Sequence, residues 1–164
     1  EERRRILGGK PALAFAADLP ATDDYRTRTE DVPAPAGLAP GFYLLFASPD
    51  PTFPADGVPV HATDVWVSDL ALVTRTRWGT PTVEGFVLNG PSGEPVAGAA
   101  VKTWKRNNRT GRLDPGPAAT TDANGLFTVP GDPDQSWLYL ASHGGHALAA
   151  GNDVYVGERG SENT

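Results

Sequence analysis

The sequence predicts an all-β protein built as two consecutive antiparallel β-sandwich domains. Three observations carry that expectation. There are 19 glycines and 16 prolines among 164 residues, turn chemistry suited to many short strands and too dense for a helical bundle. Six or seven candidate strands follow one another from Ala71 to about Val156, at a spacing of roughly 8 to 15 residues. In HATDVWVSDLALVTRTR, His61 to Arg77, apolar residues fall at 65 and 67, then at 70 and 72. The period-2 alternation changes register across Ser68-Asp69. A strand that simply continued would keep its register, because a one-residue slip moves every side chain to the other face. The stretch therefore reads as two strands with a tight junction, the first closing one β domain and the second opening the next.

In chain order, residues 1–10 read as a charged lead-in ending in Gly8-Gly9, with Arg3-Arg4-Arg5 solvated beside Glu1 and Glu2. PALAFAA (11–17) is a short apolar run with weak strand propensity, stopped by Pro20 and the following TDD. DDYRTRTED (23–31) alternates charged residues with Thr and Tyr, as an exposed edge strand protected by its charges would. VPAPAGLAP (32–40) is an extended connection. GFYLLFAS (41–48) reads as a buried strand, and PDPTFPADGVP (49–59) as a loop. TVEGFVL (82–88) is a strand with Val83, Gly85 and Val87 on one face and Glu84, Phe86 and Leu88 on the other. NGPSGE (89–94) is a turn rich in residues that accept positive φ. AAVKTWK (99–105) places Ala99, Val101, Thr103 and Lys105 on one face. RNNRTGRLDPGP (106–117) reads as a polar loop. Residues 119–122 lead into a tight turn at Asp122–Gly125, followed by strands at 126–129 and 137–142. Turns fall at 131–135 and at His143–His146, and a last strand over 147–156 is broken by Gly151-Asn152. The expected domains are 1–68 and 69–158, with 159–164 as a disordered tail. With about four strands, the first domain is either a small sheet or a sandwich whose first strands lie before residue 1.

Composition restricts function. A formal net charge of −6, with no massed cations, argues against a nucleic-acid partner, which needs a basic face. No apolar run reaches the roughly 20 residues of a membrane span. The chain has no cysteine, which removes disulfides, thiol catalysis and Cys-ligated zinc. Glu1 stands where an initiator methionine would, so the chain reads as an excised fragment or a mature product.

The chemistry-bearing residues each have a simpler structural reading. His143 and His146 form an H-x-x-H, but Gly144-Gly145 between them would not fix two imidazoles, and no third ligand is near in sequence. His61 stands alone at a strand end. The acidic pairs Asp23-Asp24, Glu30-Asp31 and Asp132 with Asp134 could serve glycoside hydrolysis only across a cleft at a set separation. Asp122, Asn124 and Gly125 suit a hairpin turn better than a calcium loop, which needs further oxygen ligands and a closing Glu. Asn108-Arg109-Thr110 is a glycosylation sequon with meaning only in a eukaryotic secretory route. Trp66, Trp78, Trp104 and Trp137, with Tyr43, Tyr139 and Phe127, could line a sugar platform, or fill cores where strand alternation turns them inward. No catalytic, cofactor-binding or metal-binding residue is assigned, and the chain is not expected to be an enzyme.

Four stretches in order resemble the bacterial alpha-2-macroglobulin family. They are LAPGFYLLFAS (38–48) after TDDYRTRT (22–29), VWVSDLALVTR (65–75), GPSGEPVAGAAVKTW (90–104) with TTDANGLFTV (120–129), and WLYLASHGGHALA (137–149). His146 departs from the pattern, which often has Asp there. The Gly-x-Pro-Val-x-Gly-Ala-x-Val hairpin with a Thr-Asp-x-x-Gly turn is shared with carboxypeptidase regulatory-like and other Ig-like or adhesin domains. The resemblance spans about residues 20–156. It implies Ig-like, macroglobulin-like sandwiches in a periplasmic or extracellular envelope protein that traps proteases. The partners implied are neighbouring domains of one large polypeptide, and proteases through the whole protein. The family's thioester needs a cysteine, which this chain lacks, and no bait segment is identifiable in it. The chain is thus expected to be a scaffold, with a tandem Ig-like adhesin or carbohydrate-binding module as the alternative.

Overall fold

The computed structural model describes residues 2–20, 24, 26–54, 56–76, 82–107, 109–131, 135–150 and 154–156. The fold is all-β, with one short helix, α1 (Glu2–Leu7). The strands are β1 (Gly41–Ala47), β2 (His61–Val67), β3 (Leu70–Thr76), β4 (Thr82–Asn89), β5 (Ala100–Arg106) and β6 (Leu113–Pro115). They continue with β7 (Ala119–Thr120), β8 (Leu126–Pro130), β9 (Gln135–His143), β10 (His146–Ala149) and β11 (Val154–Val156). Among the described residues no helix is long and apolar enough to cross a membrane.

Two compact units divide the chain, Glu1–Ala39 with Leu44–Asp64 and Pro40–Tyr43 with Val65–Thr164. In the first unit the charged lead-in contains α1. Gly8-Gly9 ends it, and the Gly9 N–H returns to the Ile6 carbonyl at 3.0 Å. The expected edge strand at 23–31 is not formed: residue 24 and residues 26–31 are irregular and exposed. Alternating charged residues with Thr and Tyr presents no apolar face, so a strand there has nothing to pack. PALAFAA is likewise irregular, with Leu13 and Phe15 exposed.

Strands β1 and β2 pair as a two-stranded sheet. GFYLLFAS forms the expected strand but not a buried one, since Phe42, Leu44 and Leu45 are exposed. One two-stranded sheet covers neither of its own faces.

The sandwich lies within the second unit. One sheet runs β3-β4-β8 and the other β10-β9-β5-β6, with β7 also on β5 and β11 also on β9. Every strand pair is antiparallel. β2 and β3 belong to different sheets, and Ser68-Asp69 lies between them. The alternation anticipated for β4 holds: Val83, Gly85 and Val87 are buried and their neighbours half-buried. The opposite sheet offers Val101, Thr103, Trp137, Tyr139 and Ala141, and the two faces close one core with Leu70, Ala99, Phe127 and Val129. Burying each such aliphatic or aromatic side chain contributes about 1.5–3 kcal/mol.

Gly85 makes room for its neighbours within the β3-β4-β8 sheet. A Cβ there would run into the ring of its cross-strand neighbour Phe127 and lie 2.7 Å from the Val73 carbonyl. The ring of Phe127 lies over this position and reaches Tyr139 of the other sheet, with centroids 6.1 Å apart. The polar stretch 106–117 is more than a loop. Leu113–Pro115 pairs with Trp104–Arg106 as an edge strand, which Pro115 blunts. The part of the 131–135 turn at 132–134, the break at 151–153 and the tail from 157 lie outside the described residues.

Candidate functional site

Several hydrogen-bonded polar side chains gather where the β4–β5 connection meets the β7–β8 turn. The turn after β4 is held by its own residues. Asn89 Oδ1 accepts the Ser92 N–H, and Asn89 N–H reaches the Glu94 carbonyl at 2.7 Å. Gly93 and Gly98 take φ of 73° and 74°, the left-handed region that glycine enters without strain. Between these turns Val96 lays its N–H on the Val87 carbonyl at 2.9 Å.

Thr121 stitches that segment to the following turn. Its buried hydroxyl donates to the Val96 carbonyl at 2.6 Å and accepts the Ala99 N–H at 2.8 Å. Its backbone N–H reaches the Ala99 carbonyl, and its carbonyl accepts from Gly98 N–H, each at 3.0 Å. One threonine thus satisfies four backbone groups at a sheet corner where regular pairing has stopped. Asp122 then makes an Asx turn, its carboxylate accepting the N–H groups of Asn124 (2.8 Å) and Leu126 (2.9 Å). Gly125 has φ 70°, and a Cβ there would lie 2.5 Å from the Val87 carbonyl. The Asp122, Asn124 and Gly125 trio is therefore a tight turn whose carboxylate serves backbone N–H groups, and it is not the expected hairpin, since β7 and β8 belong to different sheets.

The two histidines of H-x-x-H part company. Gly144 and Gly145 both take positive φ, and His143 is exposed at the end of β9. His146, at the start of β10, is three-quarters buried and turns to the β2–β3 corner. Its Nδ1 accepts the Asp69 N–H at 3.0 Å, and its Nε2 lies 3.6 Å from Asp69 Oδ2. An amide N–H can only donate, so Nδ1 carries a lone pair and the neutral ring holds its proton on Nε2. The corner is further tied by Leu70 N–H to Ser68 Oγ at 3.1 Å and by Gly90 N–H to the Asp69 carbonyl at 2.6 Å.

The remaining candidates do not converge. His61, Glu30 and Asp31 are exposed. Asp24 accepts the Arg26 N–H and faces its guanidinium at 3.7 Å, both side chains in solvent. Asp23, Asp132, Asp134, Asn108 and Trp78 lie outside the described residues. Among the described residues no three His, Cys, Asp or Glu side chains gather as a metal site. Of the aromatics, Trp137, Tyr139 and Phe127 are core, while Trp104 and Tyr43 are half-buried. Trp66 stacks on the exposed Phe42 at 5.0 Å with the rings tilted by 54°, so the pair offers no single flat face to a sugar ring.

Among the described residues neither Trp137 Nε1 nor Tyr139 Oη has a hydrogen-bond partner, although both are buried. Burial pushes the Tyr139 phenol well above its ordinary range. Comparison with protein-family models and with curated proteins finds no match to the chain.

Proposed function

We propose that this chain is a non-catalytic scaffold from a bacterial alpha-2-macroglobulin-like envelope protein, periplasmic or extracellular, whose whole polypeptide traps proteases. One observation carries the reading. The residues that resemble the family are spent on framework: Val96, Ala99 and Val101 pack, Thr121 and Asp122 satisfy backbone groups, and Gly98 and Gly125 allow the turns. A module whose polar motif residues serve its own backbone suits a spacer that fixes geometry between neighbours. Its partners on this reading are adjoining domains of one polypeptide, and proteases through the whole protein.

The test uses the full polypeptide that contains this chain, incubated with proteases of different classes. Trapping predicts that cleavage of a large protein substrate falls while cleavage of a small peptide continues. Equal cleavage of both substrates with and without the polypeptide overturns the proposal. The alternative, a tandem Ig-like adhesin or carbohydrate-binding module, would use an edge contact on the exposed Phe42 beside Trp66 rather than a flat aromatic platform. It predicts glycan-array binding by the 164-residue chain that is lost in Trp66→Ala.

A further inference from the structure

The β2–β3 corner depends on a side chain that can change its charge. His146 and Asp69 are separated by 77 positions in sequence, yet the imidazole meets that residue twice. Nδ1 accepts the Asp69 main-chain N–H, while Nε2 approaches the Asp69 carboxylate. These two contacts respond oppositely to a proton. Protonation at Nδ1 removes the lone pair that the amide uses and sets two N–H donors against each other. The same proton makes the ring a cation 3.6 Å from a carboxylate, which attracts it. Histidine is the side chain that ordinarily makes this change between pH 5 and 8.

We propose that His146 is a pH-operated latch on the Ser68–Asp69 corner. Neutral, it holds the Asp69 amide. Protonated, it releases the amide and turns its N–H groups to the Asp69 carboxylate.

The surroundings favour an exchange of partner within one residue. The cross-strand neighbour of His146 on β9 is His143, which is exposed. β3 brings Leu70, Ala71 and Leu72 to its near end, none of them charged, with Arg75 further along the strand. The turn that reaches the Asp69 carbonyl through Gly90 carries Glu94, which is exposed. β11 has no carboxylate or cation in its Val-Tyr-Val sequence. Asp69 is thus the one carboxylate that the geometry places against the ring among the described residues. Its side chain is 63% exposed and the imidazole 25%, so both are open to protons and the carboxylate is free to swing. In the protonated state the corner keeps the Gly90 and Ser68 ties but loses the one that comes from β10.

The test is a pH titration, from 8 to 5, of the ¹⁵N-labelled 164-residue chain by NMR. At pH 8 the ring nitrogen shifts should place the proton of His146 on Nε2, and the Asp69 amide should be protected from exchange. On acidification the Asp69 amide shift should move with the His146 ring, and its protection factor should fall by roughly five- to tenfold, the worth of one hydrogen bond. His143→Asn should leave this response intact, and His146→Phe should abolish it. The proposal is overturned if the Asp69 amide keeps its shift and protection while the His146 ring titrates. It is equally overturned if His143→Asn removes the response. The wild-type titration decides the matter even where a variant fails to fold.

Discussion

The Thr121 hydroxyl accepts the amide hydrogen of Ala99 at 2.8 Å across 22 positions of sequence. Both residues are buried, so no water can replace the threonine if it is lost. Thr121→Val keeps the shape and deletes the hydroxyl, leaving the Ala99 N–H and the Val96 carbonyl without it. The expected loss is about 1–3 kcal/mol in chemical denaturation. Thr121→Ser, which restores the hydroxyl, should retain most of the stability. Equal losses in the two variants would assign the effect to packing.

Gly85 gives a second expectation. The Phe127 ring and the Val73 carbonyl occupy the space a side chain would need. Gly85→Ala should cost about 1–3 kcal/mol through overpacking, and Phe127→Leu in the same chain should recover part of that loss. A Gly85→Ala protein as stable as wild type would mean that the Phe127 ring does not lie over residue 85.

Tyr139 points the other way. Among the described residues its buried hydroxyl has no hydrogen-bond partner, so Tyr139→Phe should leave stability unchanged or raise it by up to about 1 kcal/mol. The raised phenol range has a definite sign. The native state holds its proton above the ordinary range, so stability falls as alkaline pH ionises the unfolded chain first. Tyr139→Phe should weaken that alkaline loss, as read from denaturation midpoints above pH 10.

Asp50 supplies an acid-side prediction. The Thr52 hydroxyl at 2.7 Å, and then its N–H at 2.8 Å, hold the Asp50 carboxyl below the usual aspartate range. This depressed group contributes its turn fully above the unfolded aspartate range, and loses it as pH falls through its own lower range. Thr52→Ala should raise the Asp50 titration toward the ordinary value in a carboxyl NMR titration. An unchanged midpoint would contradict the hydroxyl's role.

Much of the sandwich was legible because its signals are local. Val83, Gly85 and Val87 alternate with Glu84, Phe86 and Leu88, and the break at Ser68-Asp69 interrupts a period that two residues of context reveal. The rest of the structure depends on partners distant in sequence. Leu113–Pro115 becomes a strand because β5 offers it an edge, which a run of Arg, Asp and Gly does not announce. GFYLLFAS has strand chemistry whatever covers it, so sequence could not show that Phe42 and Leu44 stay exposed. The DDYRTRTED alternation mimicked a strand without supplying an apolar face. The roles of Thr121 and His146 were hidden for the same reason: a threonine beside a turn and a histidine beside glycines look ordinary until Ala99 and Asp69 arrive.

The motif residues of the second unit build one closed framework around a single core. Native-state hydrogen exchange on the 164-residue chain tests it most directly. The amides of the buried residues Val83 and Val129 in one sheet, and of Val101, Tyr139 and Ala141 in the other, should exchange with one common opening free energy, lowered equally throughout by Thr121→Val. Two sheets that open at separate free energies, with Thr121→Val felt only beside Ala99, would contradict it.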